Sequence, residues 1–165
     1  MKKQAKSLAV LLSGGVDSSV AVSLLLEAGY KVTAFYLKVW LEDEVSFLGS
    51  CPWEEDIEFA RKVCQKLSIP LEVVPFQQEY YNAIVSYVIK ELNKGYTPSP
   101  DLLCNRLIKF GVFIDKIGKH FDGVGSGHYA RLITDSTGMK RLYRAVDPVK
   151  DQSYFLSQML SLIHI

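Results

Sequence analysis

The heptad Ser13-Gly-Gly-Val-Asp-Ser-Ser19 lies between two apolar segments, and it limits what this chain can fold into more than any other stretch. Upstream, Ser7-Leu-Ala-Val-Leu-Leu12 is a short, nearly continuous apolar run, the pattern of a strand buried on both faces. Downstream, Ser18 to Ala28 sets Val20, Ala21, Leu24, Leu25 and Ala28 at helical spacing, and Gly29 falls where a helix C-cap belongs. A glycine turn from a buried strand into a helix points unpaired N–H groups and the positive end of the helix dipole at whatever it holds. Two glycines permit close backbone approach, and Ser13, Ser18 and Ser19 add hydroxyl donors. An anion is the natural guest, and the placement suits a phosphate. Asp17 can hold Mg²⁺ at that entrance or cap the helix, and a plain glycine turn with a capping serine is the alternative for the whole loop.

The remaining pattern extends this beginning. Lys31–Val39 reads as a second strand and Pro70–Pro75 as a third. Between them Asp56–Leu67 places Ile57, Ala60, Val63, Cys64 and Leu67 on one helical face. Tyr80–Leu92 and Asn105–Ile117 are predicted helices, parted by Gly95–Pro100, where Pro98 and Pro100 should exclude helix. Asp122–Ser126 reads as a fourth strand, and Tyr129–Ile133 with Arg141–Val146 as a hairpin around Asp135-Ser-Thr-Gly138. Strands alternating with helices predict an α/β fold: an open, mostly parallel sheet with helices on both faces and its ligand at the strands' carboxyl ends. The loop has neither GxxxxGK[ST] nor GxGxxG spacing, and Gly123-Val-Gly-Ser-Gly127 has glycine alternation without either.

Composition sets outer bounds. The chain has 165 residues, 48% hydrophobic and 22% charged, with a formal net charge of +1, which excludes a disordered chain. Its longest charge-free stretches, Ser7–Val16 and Gln152–Ile165, fall short of the roughly 18 apolar residues of a bilayer span, so no membrane partner is expected. Cys51, Cys64 and Cys104 show no CxxC, which favours a reducing compartment and a cytoplasmic protein. A zinc site from Cys51, Cys64, His120 and His128 lacks ligand spacing, so no metal ligand set is assigned. Charge is uneven: residues 1–89 hold 8 Lys/Arg against 11 Asp/Glu, whereas residues 90–150 hold 11 against 6. The basic stretch suits a polyanion, or is an ordinary solvated surface.

The heptad resembles the SGGxDS loop of the PP-loop ATP pyrophosphatases, enzymes with an adenine nucleotide α-hydrolase-like fold. Downstream the resemblance narrows. Thr97-Pro-Ser-Pro-Asp-Leu-Leu-Cys-Asn-Arg-Leu-Ile-Lys-Phe110, Gly125-Ser-Gly-His-Tyr-Ala-Arg131, Lys150-Asp-Gln-Ser-Tyr-Phe-Leu156 and Tyr36-Leu-Lys-Val-Trp40 resemble segments of the tRNA-specific 2-thiouridylases, in that family's order. The resemblance implies adenylation of the wobble uridine's 2-oxygen by ATP with Mg²⁺, then displacement of AMP by sulfur. It implies ATP contacts at Leu11, Leu12, Ser13, Gly14, Gly15, Val16, Asp17, Ser18 and Ser19, and at Leu37 and Gly127. It places Ser99, Pro100 and Asp101 at the target base, and Lys150, Asp151 and Gln152 on tRNA. Cys104 becomes the first catalytic cysteine, with Asp17 beside the phosphates. In the family such a cysteine pairs with a second, persulfide-carrying one, and a disulfide forms as sulfur leaves; a persulfide-donor protein is the implied partner.

The chemistry of Cys104 is consistent with that role. A thiolate is the nucleophile that sulfur exchange requires, and Arg106, Lys109 and a helix start near Asn105 are expected to lower its pKa. Burial as a small hydrophobe is the alternative for Cys104, and the better reading for Cys64. His128 is read equally as a structural hydrogen-bonder and as a functional group. Departures from the family pattern are Ser99 for asparagine, Leu37 for methionine, and no cysteine after Cys104. Residues 1–165 are therefore expected to be one PP-loop catalytic domain, incomplete at its C-terminal end, without the family's central and β-barrel domains. Another PP-loop ligase, or a nucleotide- or tRNA-binding fragment, remains open.

Overall fold

The computed structural model describes residues 5–39 and 52–158. The expected roles of Trp40 and Cys51 and the terminal apolar stretch after Gln158 lie outside the described residues. The chain divides into two compact units, residues 1–77 with 117–127, and residues 78–116 with 128–165.

The first unit is a four-stranded, all-parallel sheet. β1 (Ser7–Leu11) leads into α1 (Val16–Glu27), β2 (Lys31–Lys38), α2 (Pro52–Leu67) and β3 (Leu71–Pro75); β4 (Gly123–Ser126) joins later. Strand order is β3-β2-β1-β4, with Leu11 opposite Phe35 on one side and Ser126 on the other. β1 is central because it is apolar on both faces: Ala9, Val10 and Leu11 are all buried. One face carries Val10, Leu12, Val32, Ala34 and Tyr36 against Val22 of α1 and Ile57, Ala60 and Cys64 of α2. On the other, Phe35 meets Phe121 edge to face at 5.6 Å. Asp122 fixes the start of β4, its carboxylate accepting from the Ser7 amide (2.7 Å) and hydroxyl (3.0 Å), which hold it below the usual carboxylate range.

α2 buries the face its spacing predicts, but α1 does not. Val20 and Leu24 are 50% and 59% exposed, whereas Ser18 and Val22 are buried and Leu25 and Leu26 lie half-buried against the sheet. α1 is apolar around most of its circumference, so periodicity could not choose its inner face; the tight turn at Gly14–Gly15 sets it. Trp53, at the start of α2, is anchored to β2 by the Tyr36 hydroxyl on its carbonyl (3.5 Å) and by the Lys38 ammonium 4.4 Å above its ring.

The second unit is helical with one hairpin. α3 (Gln77–Tyr80), which starts at the last residue of the first unit, runs through a π-helical segment (Tyr81–Val85) into α4 (Ser86–Asn93). α5 (Pro100–Leu103) runs through a longer π segment (Cys104–Val112) into α6 (Phe113–Lys116). The expectation that Pro100 excludes helix fails for a physical reason: proline fits the first helical position, where its missing N–H costs nothing. Ile84, Ile108, Phe113 and Leu156 form the buried side of this unit. β5 (Ala130–Thr134) and β6 (Lys140–Arg144) pair antiparallel as expected, Leu132 opposite Leu142. Asp135 closes their turn, accepting from the amides of Thr137 and Met139, the Thr137 hydroxyl and the Arg141 guanidinium; these bonds hold its pKa down to about 2.

α1 and α2 end alike, in a 6→1 bond past a left-handed residue. After α1 that residue is Gly29 (φ 84°), with Tyr30 N–H on Leu25 C=O; after α2 it is Ser68 (φ 55°), with Ile69 N–H on Cys64 C=O. A serine pays a steric cost there that glycine avoids. Ser68→Gly should raise unfolding stability by about 0.5–1 kcal/mol, read as a higher urea midpoint with an unchanged slope.

Candidate active site

β1 sends its connection to one side of itself, and its other neighbour β4 arrives after a long excursion of the chain. The strand order therefore reverses between β1 and β4, and sheets of this kind hold their ligands at the carboxyl ends of the strands beside such a switch point. The Ser13–Ser19 loop leaves β1 at that point, and Gly127 directly follows β4. The two backbones touch so closely that a Cβ on Gly127 would stand 2.5 Å from the carbonyl carbon and oxygen of Asp17 and from the Ser18 nitrogen. On the loop's other side, a Cβ on Gly14 (φ 84°) would stand 2.3 Å from the Asp56 carbonyl oxygen of α2. Both glycines are required by backbone packing.

The serines are used differently from the expectation. Ser18 is buried, and its hydroxyl accepts from the Ser13 amide (3.2 Å) and reaches the Gly15 carbonyl (3.1 Å); the Ser19 hydroxyl donates to the same carbonyl (2.8 Å). Two of the three expected donors thus shape the loop. Its anion-binding capacity rests on the first-turn amides of α1, which precede the first helical bond, Ser19 N–H to Gly15 C=O (3.2 Å). Leu11 and Leu12 are core side chains and can offer only backbone; Val16 is 77% exposed. Asp17 stands in the first turn of α1. Leu37, two residues beyond the Phe35 that pairs with the end of β1, lies at the same carboxyl edge. The structure thus gathers every expected ATP residue at one edge of the sheet. Sequence reading missed Ser126, whose hydroxyl is buried at the end of β4 with no hydrogen-bond partner among the described residues.

In the second unit, Ser99 is the exposed residue before α5, Pro100 its first residue and Asp101 an exposed first-turn acid. Cys104 opens the π segment, and its environment overturns one expectation. Burial pushes its thiol pKa up; Lys109 pulls it down and Asp101 adds to the rise, and the net direction is upward. The helix begins at Pro100, so Cys104 sits a full turn inside it, where the terminal dipole has faded. Arg106 turns its guanidinium to the Gln158 side chain (3.4 Å). Tyr80 feels both Cys104 and Asp101, which together with burial raise its own pKa. Cys64 is a buried free thiol in the core of the first unit, as expected.

Asn105, next to Cys104, is 3% exposed and donates through Nδ2 to the Phe155 carbonyl (3.2 Å). The Cys104 turn and the Lys150–Leu156 segment are therefore one packed piece, a link no sequence spacing disclosed. Within that segment burial pushes the Asp151 carboxylate up, but the bonds it accepts from the amides of Ala145 and Ser153, the Ser153 hydroxyl and Arg144 together outweigh burial and hold its pKa low. Gln152 exchanges two bonds with the Tyr129 backbone, at 2.8 and 3.1 Å. The Lys150 ammonium lies 4.3 Å over the Tyr129 ring. Asp151 and Gln152 thus shape this segment, and Lys150 carries its positive charge. His128 is half-buried, its ring tilted against Phe110 at 6.4 Å.

A parallel sheet with an anion-binding glycine loop at its switch point defines a nucleotide-binding α/β domain. The model of the family described as "tRNA methyl transferase HUP domain" matches residues 6–162, and the chain belongs to that family. It is 46% identical over 155 residues to the "tRNA-specific 2-thiouridylase MnmA" of Parabacteroides distasonis, covering 94% of this chain and 43% of that protein. It is 50% identical over 149 residues to the protein of the same name from Akkermansia muciniphila, covering 90% and 41%. The chain thus spans about two fifths of the length of the curated relatives it matches. Among solved structures, a predicted subunit of tRNA methyltransferase from Methanocaldococcus jannaschii superposes with a TM-score of 0.50 at 16% identity, covering 74% of this chain and 52% of that one, a likeness of fold alone. Among the described residues, no helix is long and apolar enough to cross a membrane.

The geometry carries two predictions. Gly127→Ala forces the β4 exit away from α1 and should cost about 1–3 kcal/mol of stability, with loss of nucleotide binding, seen by denaturant titration and by equilibrium dialysis of ATP. Because the Cys104 pKa is raised, its thiolate fraction at neutral pH is small and grows as pH rises past the ordinary cysteine value. Iodoacetamide labelling of Cys104, followed by peptide mass spectrometry, should climb through pH 9 without a plateau, ahead of Cys64 at every pH.

Proposed function

We propose that this chain carries the ATP-dependent activation step of tRNA 2-thiouridylation, with Cys104 serving the sulfur transfer that follows. One observation carries the reading: 46–50% identity over at least nine tenths of this chain to proteins named as tRNA-specific 2-thiouridylases. The whole reaction belongs to a longer protein, of which residues 1–165 supply the PP-loop catalytic part.

ATP is the first substrate. The Ser13–Ser19 loop and the first-turn amides of α1 hold its phosphates, with Leu37 and Gly127 at the neighbouring strand ends. The 2-oxygen of the target uridine attacks the α-phosphorus, and pyrophosphate departs with the bonding electron pair. The resulting ester makes C2 electrophilic and AMP a good leaving group. The terminal sulfur of a cysteine persulfide then bonds to C2 and AMP departs; the Cys104 thiolate attacks the persulfide's inner sulfur, the S–S bond breaks with its electron pair going to the sulfur now on C2, and a disulfide joins Cys104 to the cysteine that carried the persulfide. That second cysteine and the persulfide-donor protein lie outside the described residues. Ser99, Pro100 and Asp101 stand near the base, and Lys150 near the RNA backbone.

The loop chemistry fits Mg²⁺ as well: Asp17 stands in the first turn of α1, beside the amides that would hold the phosphates, and magnesium is commonly held by one or two carboxylates with substrate phosphates. Asp17 would be that carboxylate. The ion's contribution there is to neutralise the departing pyrophosphate.

With unmodified tRNA and ATP, the chain should release pyrophosphate, and label from α-³²P-ATP should pass to the RNA. Cys104→Ala should leave pyrophosphate release within about threefold and abolish 2-thiouridine in the full-length protein. Release of orthophosphate instead, or thiolation surviving Cys104→Ala, would overturn the proposal.

A further inference from the structure

The β5–β6 hairpin presents a face that the reading above leaves without a role. In an antiparallel pair, residues directly opposite share a face and successive residues alternate. The register sets Arg131 opposite Tyr143 and Ile133 opposite Arg141 on one side, with half-buried Leu132 and Leu142 on the other. On the first side Ile133 is 42% exposed and Tyr143 43% exposed, and both arginines are exposed. Arg131 is laid across the hairpin by its Nε–H bond to the Arg144 carbonyl (3.0 Å). Tyr129, just before β5, is also exposed and carries Lys150 over its ring.

The acids of this segment are committed to hydrogen bonds within it. Residues 128–158 contain five Lys/Arg and three Asp. Asp135 faces its own turn amides, Asp147 accepts from the amides of Val149 and Lys150, and Asp151 from those of Ala145 and Ser153. Asp135 and Asp151 also pair with Arg141 and Arg144 through the Nε of each guanidinium, whose other N–H groups, with Arg131 and the tyrosine rings, stay on the surface. A flat strip of guanidinium and phenol groups matches the two recognisable parts of an RNA, its phosphates and its base faces.

We infer that the Arg131–Tyr143 face of the hairpin is an RNA-docking surface, which grips the tRNA substrate outside the Cys104 turn through phosphate contacts by Arg131 and Arg141 and base or ribose stacking on Tyr143. It rests on the reading of tRNA as the substrate and extends it to a surface that reading does not use. Asp151 and Gln152 serve it indirectly, by fixing Arg144, Lys150 and the start of β5.

The test is binding of an unmodified tRNA transcript to the 165-residue chain across a salt series, with ATP binding measured in parallel. Arg131→Gln and Arg141→Gln should each lower the slope of log K against log salt by about one. Arg131→Lys should keep the slope, which separates lost charge from lost fold. Tyr143→Ala should weaken binding about tenfold with the slope unchanged. Lys90→Gln, the same charge loss on α4, should leave affinity near wild type. Wild-type tRNA binding with all hairpin variants unaffected would overturn the docking surface alone. A chain that binds ATP but no tRNA would overturn the substrate reading beneath it. Loss of self-association in Tyr143→Ala by sedimentation, with RNA affinity intact, would assign the face to a second copy of this chain and overturn the inference.

Discussion

The contact of Gly127 with the Asp17–Ser18 peptide is the constraint around which the first unit is arranged. Two backbone segments far apart in sequence meet at a distance no side chain could share, and that meeting defines both the position of β4 beside β1 and the direction in which α1 points. Gly14 repeats the device on the other flank, against α2. With the loop clamped between these two approaches, the first-turn amides of α1 are held in place by backbone packing alone. Preorganised donors of this kind avoid the reorganisation cost that a mobile loop would impose on charge development.

Much of this arrangement was legible in the residues, because it rests on local chemistry. A buried apolar hexad, a glycine turn and a following helix can be read in order, and all four parallel strands and the hairpin occur where β-branched and apolar runs place them. The inner face of α1 was not legible, since Val20 and Leu24 are as apolar as the residues that are buried. Nor was the helix start at Pro100: the same residue that forbids a helix interior is welcome at its first position, and only the paths of neighbouring segments decide between these.

The site divides in the same way. Cys104 could be singled out from its neighbours, but the sign of its pKa shift could not. Sequence proximity of Arg106 and Lys109 suggested an activated thiolate, whereas burial outweighs Lys109 and Arg106 is engaged with Gln158. Charge counted along a chain omits desolvation, which is a property of packing. Asn105 escaped notice for a related reason: its partner is a backbone carbonyl fifty residues away, and a backbone acceptor leaves no mark on composition.

The π-helical geometry of Cys104–Val112 has a consequence for how this family's segment can vary. A π turn holds one more residue than the α turn it replaces, as the Phe113 N–H to Ile108 C=O bond illustrates. Deleting a single residue there would let the segment tighten to α geometry with the turns on either side close to their present phase, because that residue is what the wider turn takes up. The same deletion in an α turn has no such outlet and rotates one side against the other by about 100°. The segment thus acts as slack in the helix, able to absorb a one-residue change in length while Phe113 and the turns flanking it keep their faces.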